Sequence, residues 1–99
     1  MTMIRTLLEG WSLMVWPAGA DEWCRDLILA ARPSVRGGYE AVGLDVPRGM
    51  TVAAARGDEL ARYVEIVVAR AATIADLDAA VEAAVAAFAA VQAAERSER

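Results

Sequence analysis

Ninety-nine residues with a net charge of −4 and a single cysteine fit one domain, residues 1–99, with one modest core and no room for a substrate domain beside a cofactor domain. The chain has ten arginines and no lysine, histidine or asparagine, which excludes an imidazole base, a histidine-paired nucleophile, a histidine metal ligand, a lysine Schiff base and a Walker-type phosphate lysine. With Cys24 alone, an internal disulfide and a cysteine-rich zinc site are excluded as well.

The hydrophobic fraction of 58% includes 23 alanines, and alanine marks helix rather than bilayer. Charged residues interrupt every apolar run outside Ala83–Val91, so no segment reaches the ~20 apolar residues of a membrane span. The arginines are spread along the chain with acids between them, which speaks against nucleic acid as a partner. Their exclusive use, beside the alanine excess, reads as the codon bias of a GC-rich genome.

Residues 1–10 form an N-terminal segment. Together with Ala18-Gly19-Ala20 it imitates a secretory signal, but Glu9 and Gly10 break the apolar region and leave only Trp11 to Trp16, shorter than the ~7–15 residues such a signal needs. A cytoplasmic location with a reduced thiol is the expectation. Trp11–Trp16 has strand composition, with Trp11, Leu13 and Val15 on one face and Met14 and Trp16 on the other. Pro17 and Gly19 end it. Asp21 is a plausible N-cap for a helix over Asp21–Arg32, whose Trp23, Cys24, Leu27, Ile28 and Ala31 form one stripe and whose Pro33 stops it. On that stripe Cys24 reads as a small core residue, with a reactive thiol as the alternative.

Gly37-Gly38 turns the chain into a half-buried strand over Tyr39–Val46, where Val42, Leu44 and Val46 alternate with Ala41, Gly43 and Asp45. Pro47-Arg48-Gly49 is a turn, and Met50–Ala54 returns as a short hairpin partner. Arg56-Gly57-Asp58, an integrin-type tripeptide by sequence, reads as a loop. Glu59–Ala72 satisfies helical spacing through Leu60, Tyr63, Val64, Val67 and Ala71, yet the β-branched density of Val64, Ile66, Val67 and Val68 favours a strand.

Thr73-Ile74-Ala75-Asp76 is a capping box that opens a long amphipathic helix. Its Ile74, Leu77, Val81, Ala84, Phe88 and Val91 recur at intervals of three and four, with Val85 widening the seam. Either the chain's own sheet or a second chain must cover that seam. Residues 96–99 read as a frayed tail. The acids Glu40 and Asp45, or Asp76 and Asp78, could be offered as carboxylate pairs, but their spacing fits a cap and a solvated face.

From Gly38-Tyr39-Glu40-Ala41-Val42, through Asp45-Val46-Pro47-Arg48-Gly49-Met50-Thr51-Val52, to Tyr63–Arg70 and Thr73 with its helix, the chain resembles the C-terminal subdomain of ATP-grasp ligases related to biotin carboxylase. The resemblance covers about residues 38–94. It implies a detached piece that acts beside a larger subunit. No functional residue carries over, because the family holds nucleotide and magnesium with lysines, acids and an asparagine in other subdomains.

These readings combine into an α+β fold, a small antiparallel sheet covered on one face by two helices in a ferredoxin-like or related arrangement. Neither a catalytic constellation, nor a metal site, nor a cofactor site is recognisable. The leading expectation is a non-catalytic protein-interaction or accessory protein, a homo-oligomer or the small subunit of a larger complex, with an immunity or antitoxin-like role as one concrete form. Its candidate interface residues are Trp11, Trp16, Trp23, Leu77, Val81, Val85, Phe88 and Val91. The alternatives are the ligase accessory subunit and a small ferredoxin-like binding domain or enzyme that uses an acid, Tyr39, Tyr63 or an arginine in a cleft.

Overall fold

The computed structural model describes residues 3–97. Five strands, β1 (Met3–Thr6), β2 (Ser12–Met14), β3 (Ile28–Pro33), β4 (Tyr39–Leu44) and β5 (Val64–Ala71), form one antiparallel sheet in the order β1-β2-β3-β4-β5. The fold is a small α+β domain with a long C-terminal helix. Its strands follow one another as a meander, so no crossover connects them.

Both faces of the sheet are covered, by different parts of the chain. The long helix α3 (Ile74–Ser97) lies on one face, where Leu77 and Val81 meet Met14, Leu29, Ala31 and Ala41. On the other face Trp11, Ala30, Val42 and Leu44 meet Ala55 and Leu60 from the segment between β4 and β5. That segment holds a 3-10 turn at Val52–Ala54 and the short helix α2 (Gly57–Ala61).

Burial on two sides explains why β4 is read too lightly from sequence as a half-buried strand. Residues 40–44 are all buried, although Ala41 and Gly43 alternate with Val42 and Leu44 as an outer face would. They are small because the cover lies close. A Cβ built on Gly43 would come within 2.9 Å of both the Ile66 and the Leu27 side chains, nearer than packed carbons approach.

Three expected elements are corrected. The helix over Asp21–Arg32 is a single turn, α1 (Glu22–Arg25), followed at once by β3. Asp21 does cap that turn, accepting a hydrogen bond from the Trp23 N–H at 2.8 Å. From Ile28 onward, pairing with β2 and β4 on both sides overrides the helix preference of Ala30 and Ala31. Met50–Ala54 is not a hairpin strand but contains the 3-10 turn. Arg56-Gly57-Asp58 is not a loop, because Gly57 is the buried first residue of α2.

That start is fixed from far away in sequence. Glu9 adopts a left-handed backbone, φ 59°, a conformation uncommon for residues other than glycine, and its Oε2 accepts the Gly57 N–H at 2.7 Å. A Cβ on Gly57 would fall 2.5 Å from that oxygen and 2.8 Å from Trp11 Nε1. Helix α3 opens as the sequence predicts, with Thr73 Oγ1 accepting the Asp76 N–H at 3.2 Å. It runs through Ser97, while Glu98 and Arg99 of the expected tail lie outside the described residues.

Candidate docking surface

The heptad-like seam of α3 crosses two environments. Leu77 is 0% exposed and Val81 1%, both closed against the chain's own sheet. Ile74 and Val85 are partly buried at the same cluster. Phe88 and Val91, on the same stripe one and two turns further, are 48% and 55% exposed. The sheet does not enclose them.

The three tryptophans also separate. Trp11 is core, 5% exposed, with the Arg32 guanidinium carbon 5.3 Å above its ring centroid. Trp16 is half-buried and donates its Nε1–H to the Leu27 carbonyl at 2.9 Å, which fixes the loop between β2 and α1 against the start of β3. Trp23, on α1, is 52% exposed. Trp16, Trp23, Ile66, Val67, Val85 and Phe88 surround an open, largely apolar cleft of roughly 220 Å³ between α1, β5 and α3. Of the eight candidate interface residues, four line this cleft (Trp16, Trp23, Val85 and Phe88), Val91 is exposed one turn beyond Phe88, and Trp11, Leu77 and Val81 belong to the core.

One polar contact ties the far wall to the near one. Gln92 Nε2 donates to Asp21 Oδ2 at 3.1 Å, so the cap residue of α1 also holds the last third of α3. Sequence reading missed Gln92 and Val67. The signal for Gln92 was present, since it is the single polar residue between Glu82 and Glu95. Val67 was hidden because β5 carries two register irregularities, opposite Ala41/Val42 and Gly43/Leu44, which break simple alternation and leave Val67 38% exposed.

Cys24 also lines the cleft. Burial, reinforced by the negative charge of Asp21, pushes its thiol pKa up, so it carries less thiolate than an ordinary cysteine at neutral pH. Neither Tyr39, Tyr63 nor any arginine lines the cleft, and Asp21 is its one charged residue. Among the described residues no group of three or more cysteine, aspartate or glutamate side chains is placed to hold a metal ion, and no helix is long and apolar enough to cross a membrane.

The other concentration of charge is a cross-strand row on the opposite face of the sheet. Arg32, Glu40 and Arg70 stand in register on β3, β4 and β5. Arg32 Nε donates to Glu40 Oε1 at 2.7 Å and Arg70 Nε to Oε2 at 3.1 Å. Burial would push the Glu40 carboxyl up, but the two arginine hydrogen bonds and the attraction of both guanidinium charges outweigh it and leave the pKa below the usual carboxylate value. Glu40 is 7% exposed with both oxygens engaged, so it is a structural clamp across three strands and not a free acid or base. Asp45, offered with it as a pair, is exposed beyond the end of β4. Asp78 Oδ1 is enclosed with no hydrogen-bond partner among the described residues, and Asp76 is exposed.

Comparison of the chain with protein-family models, with curated proteins and with solved structures found no match.

Proposed function

We propose that this chain is a protein-interaction module that docks through the cleft and the open end of α3. The observation that carries this reading is the exposure of Trp23, Val67, Phe88 and Val91 in one neighbourhood. Aromatic anchors beside an apolar recess are what protein interfaces concentrate their binding energy in, and the largest exposed apolar patch of a small protein is often its functional surface.

The edges of the sheet support the same choice of surface. β1 is four residues long, and β5 has two irregularities and carries Glu65 and Arg70. Short, bulged and charged edges resist strand addition, which leaves the side-chain surface of α3 and α1 as the place for a partner.

The test is capture of binding proteins, untagged copies of the chain included, from the native host with tagged wild-type and Phe88→Glu baits. The reading requires at least one protein retained by the wild type and lost with Phe88→Glu. Identical captures with both baits overturn it.

A further inference from the structure

Building on the docking reading above, we infer that the partner at this surface is a second copy of the same chain, related by a two-fold axis, with the open ends of the two α3 helices packed antiparallel. Three observations select this occupant.

The first is shape. A two-fold interface uses one patch twice, so the patch must carry both the protrusion and the recess it fills. Here Phe88 forms part of the wall of the cleft that Trp16, Trp23 and Val67 also line, and its exposed half, with Val91 one turn on, stands at the rim. The overhanging stripe of one copy is thus a knob for the cleft of the other.

The second is charge. Copies carrying −4 each repel one another over most of their surface. Between Glu82 and Glu95 the helix has no charged residue, and Asp21, the cleft's one charge, accepts hydrogen bonds from the Trp23 N–H and Gln92 Nε2. This is where two like-charged copies meet without opposing charges. Antiparallel helices also set opposite dipole ends side by side.

The third is area. Trp23 and Phe88, each about half exposed, offer on the order of 100 Å² apiece, and with Val67 and Val91 the patch reaches roughly 400 Å². Ala87 and Ala89 are exposed to either side of it. Two copies together bury on the order of 1,000 Å², the size of a weak, transient interface. The area fits a reversible dimer that dilution dissociates, rather than an obligate one.

Sedimentation equilibrium of the purified full chain over about a hundredfold concentration range tests this inference. The mass rises from one chain toward two, Phe88→Glu and Trp23→Glu each weaken the dimer at least about tenfold, and added salt does not dissociate it because no ion pair holds it. Val35→Glu, at a fully exposed position in the β3–β4 turn, leaves the mass curve unchanged. Thermal melts of the variants at dilute concentration confirm that each is folded. A monomer throughout the range overturns the second copy as partner while leaving the docking reading to the capture experiment. A dimer that survives both Phe88→Glu and Trp23→Glu, or assembly that continues past two chains, overturns the proposed arrangement.

Discussion

Replacing Leu77 and Phe88 by alanine, one at a time, measures how sharply the α3 seam changes character along its length. Leu77 is fully enclosed against Leu29 and Ala41, so Leu77→Ala removes three buried carbons and leaves a cavity, which costs about 3 kcal/mol. Phe88 has about half its surface against the protein, roughly 100 Å² at ~25 cal/mol per Å². Alanine retains part of that contact and solvent fills the rest, so the loss is ~1.5 kcal/mol. Alanine's better helix propensity offsets about 0.5 of it, leaving ~1 kcal/mol.

Urea denaturation, at protein concentrations low enough to keep the chain monomeric, reads both values from the shift in midpoint at constant m. In thermal melts Leu77→Ala lowers Tm by roughly 12–24 °C and Phe88→Ala by roughly 4–8 °C. A cost for Phe88→Ala equal to or above that of Leu77→Ala in dilute solution refutes the division of the seam, because it would mean that Phe88 belongs to the same enclosed core.

Glu40→Gln tests the three-strand clamp. The folded carboxyl lies below its unfolded pKa, so its stabilisation is fully present above about pH 4.3 and is lost as pH falls through the folded value. Glu40→Gln costs about 2 kcal/mol at pH 7, and the difference from wild type shrinks as acid is added. A difference that does not change with pH contradicts the assignment. Gly57→Ala drives a methyl group into Glu9 Oε2 and Trp11 Nε1 and costs about 2 kcal/mol. Glu9→Ala loses the acceptor for the Gly57 N–H, so the double variant falls short of the sum of the two singles, and additivity in chemical denaturation counts against that contact. Cys24, with its pKa raised and its side chain partly covered, reacts with a thiol reagent at pH 8 more slowly than an unstructured cysteine peptide. Equal rates show that the cleft does not shelter it.

What sequence patterns revealed and concealed follows from which forces act locally. The opening of α3 was legible because a Thr cap and a three-four apolar spacing are local signals. So was the β-branched part of β5. The segment after Asp21 was not, because Trp23, Cys24, Leu27, Ile28 and Ala31 satisfy helical spacing and only the neighbouring strands decide that Ile28–Pro33 is extended. β1 gave no signal, being four residues at an edge. α2 was concealed for a similar reason, since its start depends on a carboxylate 48 residues earlier in the chain. The docking candidates were chosen by residue type and helical spacing, which cannot tell that Trp11, Leu77 and Val81 are enclosed while Trp23, Phe88 and Val91 are open. That distinction depends on which turns of α3 the sheet encloses.

The end of that enclosure also gives the composition of α3 a physical meaning. At about 1.5 Å per residue the 24-residue helix is some 36 Å long, and only its first half holds residues buried against the strands, Leu77 and Val81. Short helices without tertiary support are marginal in water, so an overhang needs residues of high intrinsic propensity. Alanine supplies that, but glutamate, lysine, arginine and glutamine come close to it and are better solvated. A simple spacer would use them, as the surfaces of supported helices do. Ala83–Ala94 instead contains one polar residue, Gln92, whose amide is bonded to Asp21, together with Val85, Phe88 and Val91 on the line of the enclosed seam. Intrinsic propensity accounts for the helix. It does not account for an aromatic and a valine held half in water beside an apolar cleft, whereas a second helix laid against them does.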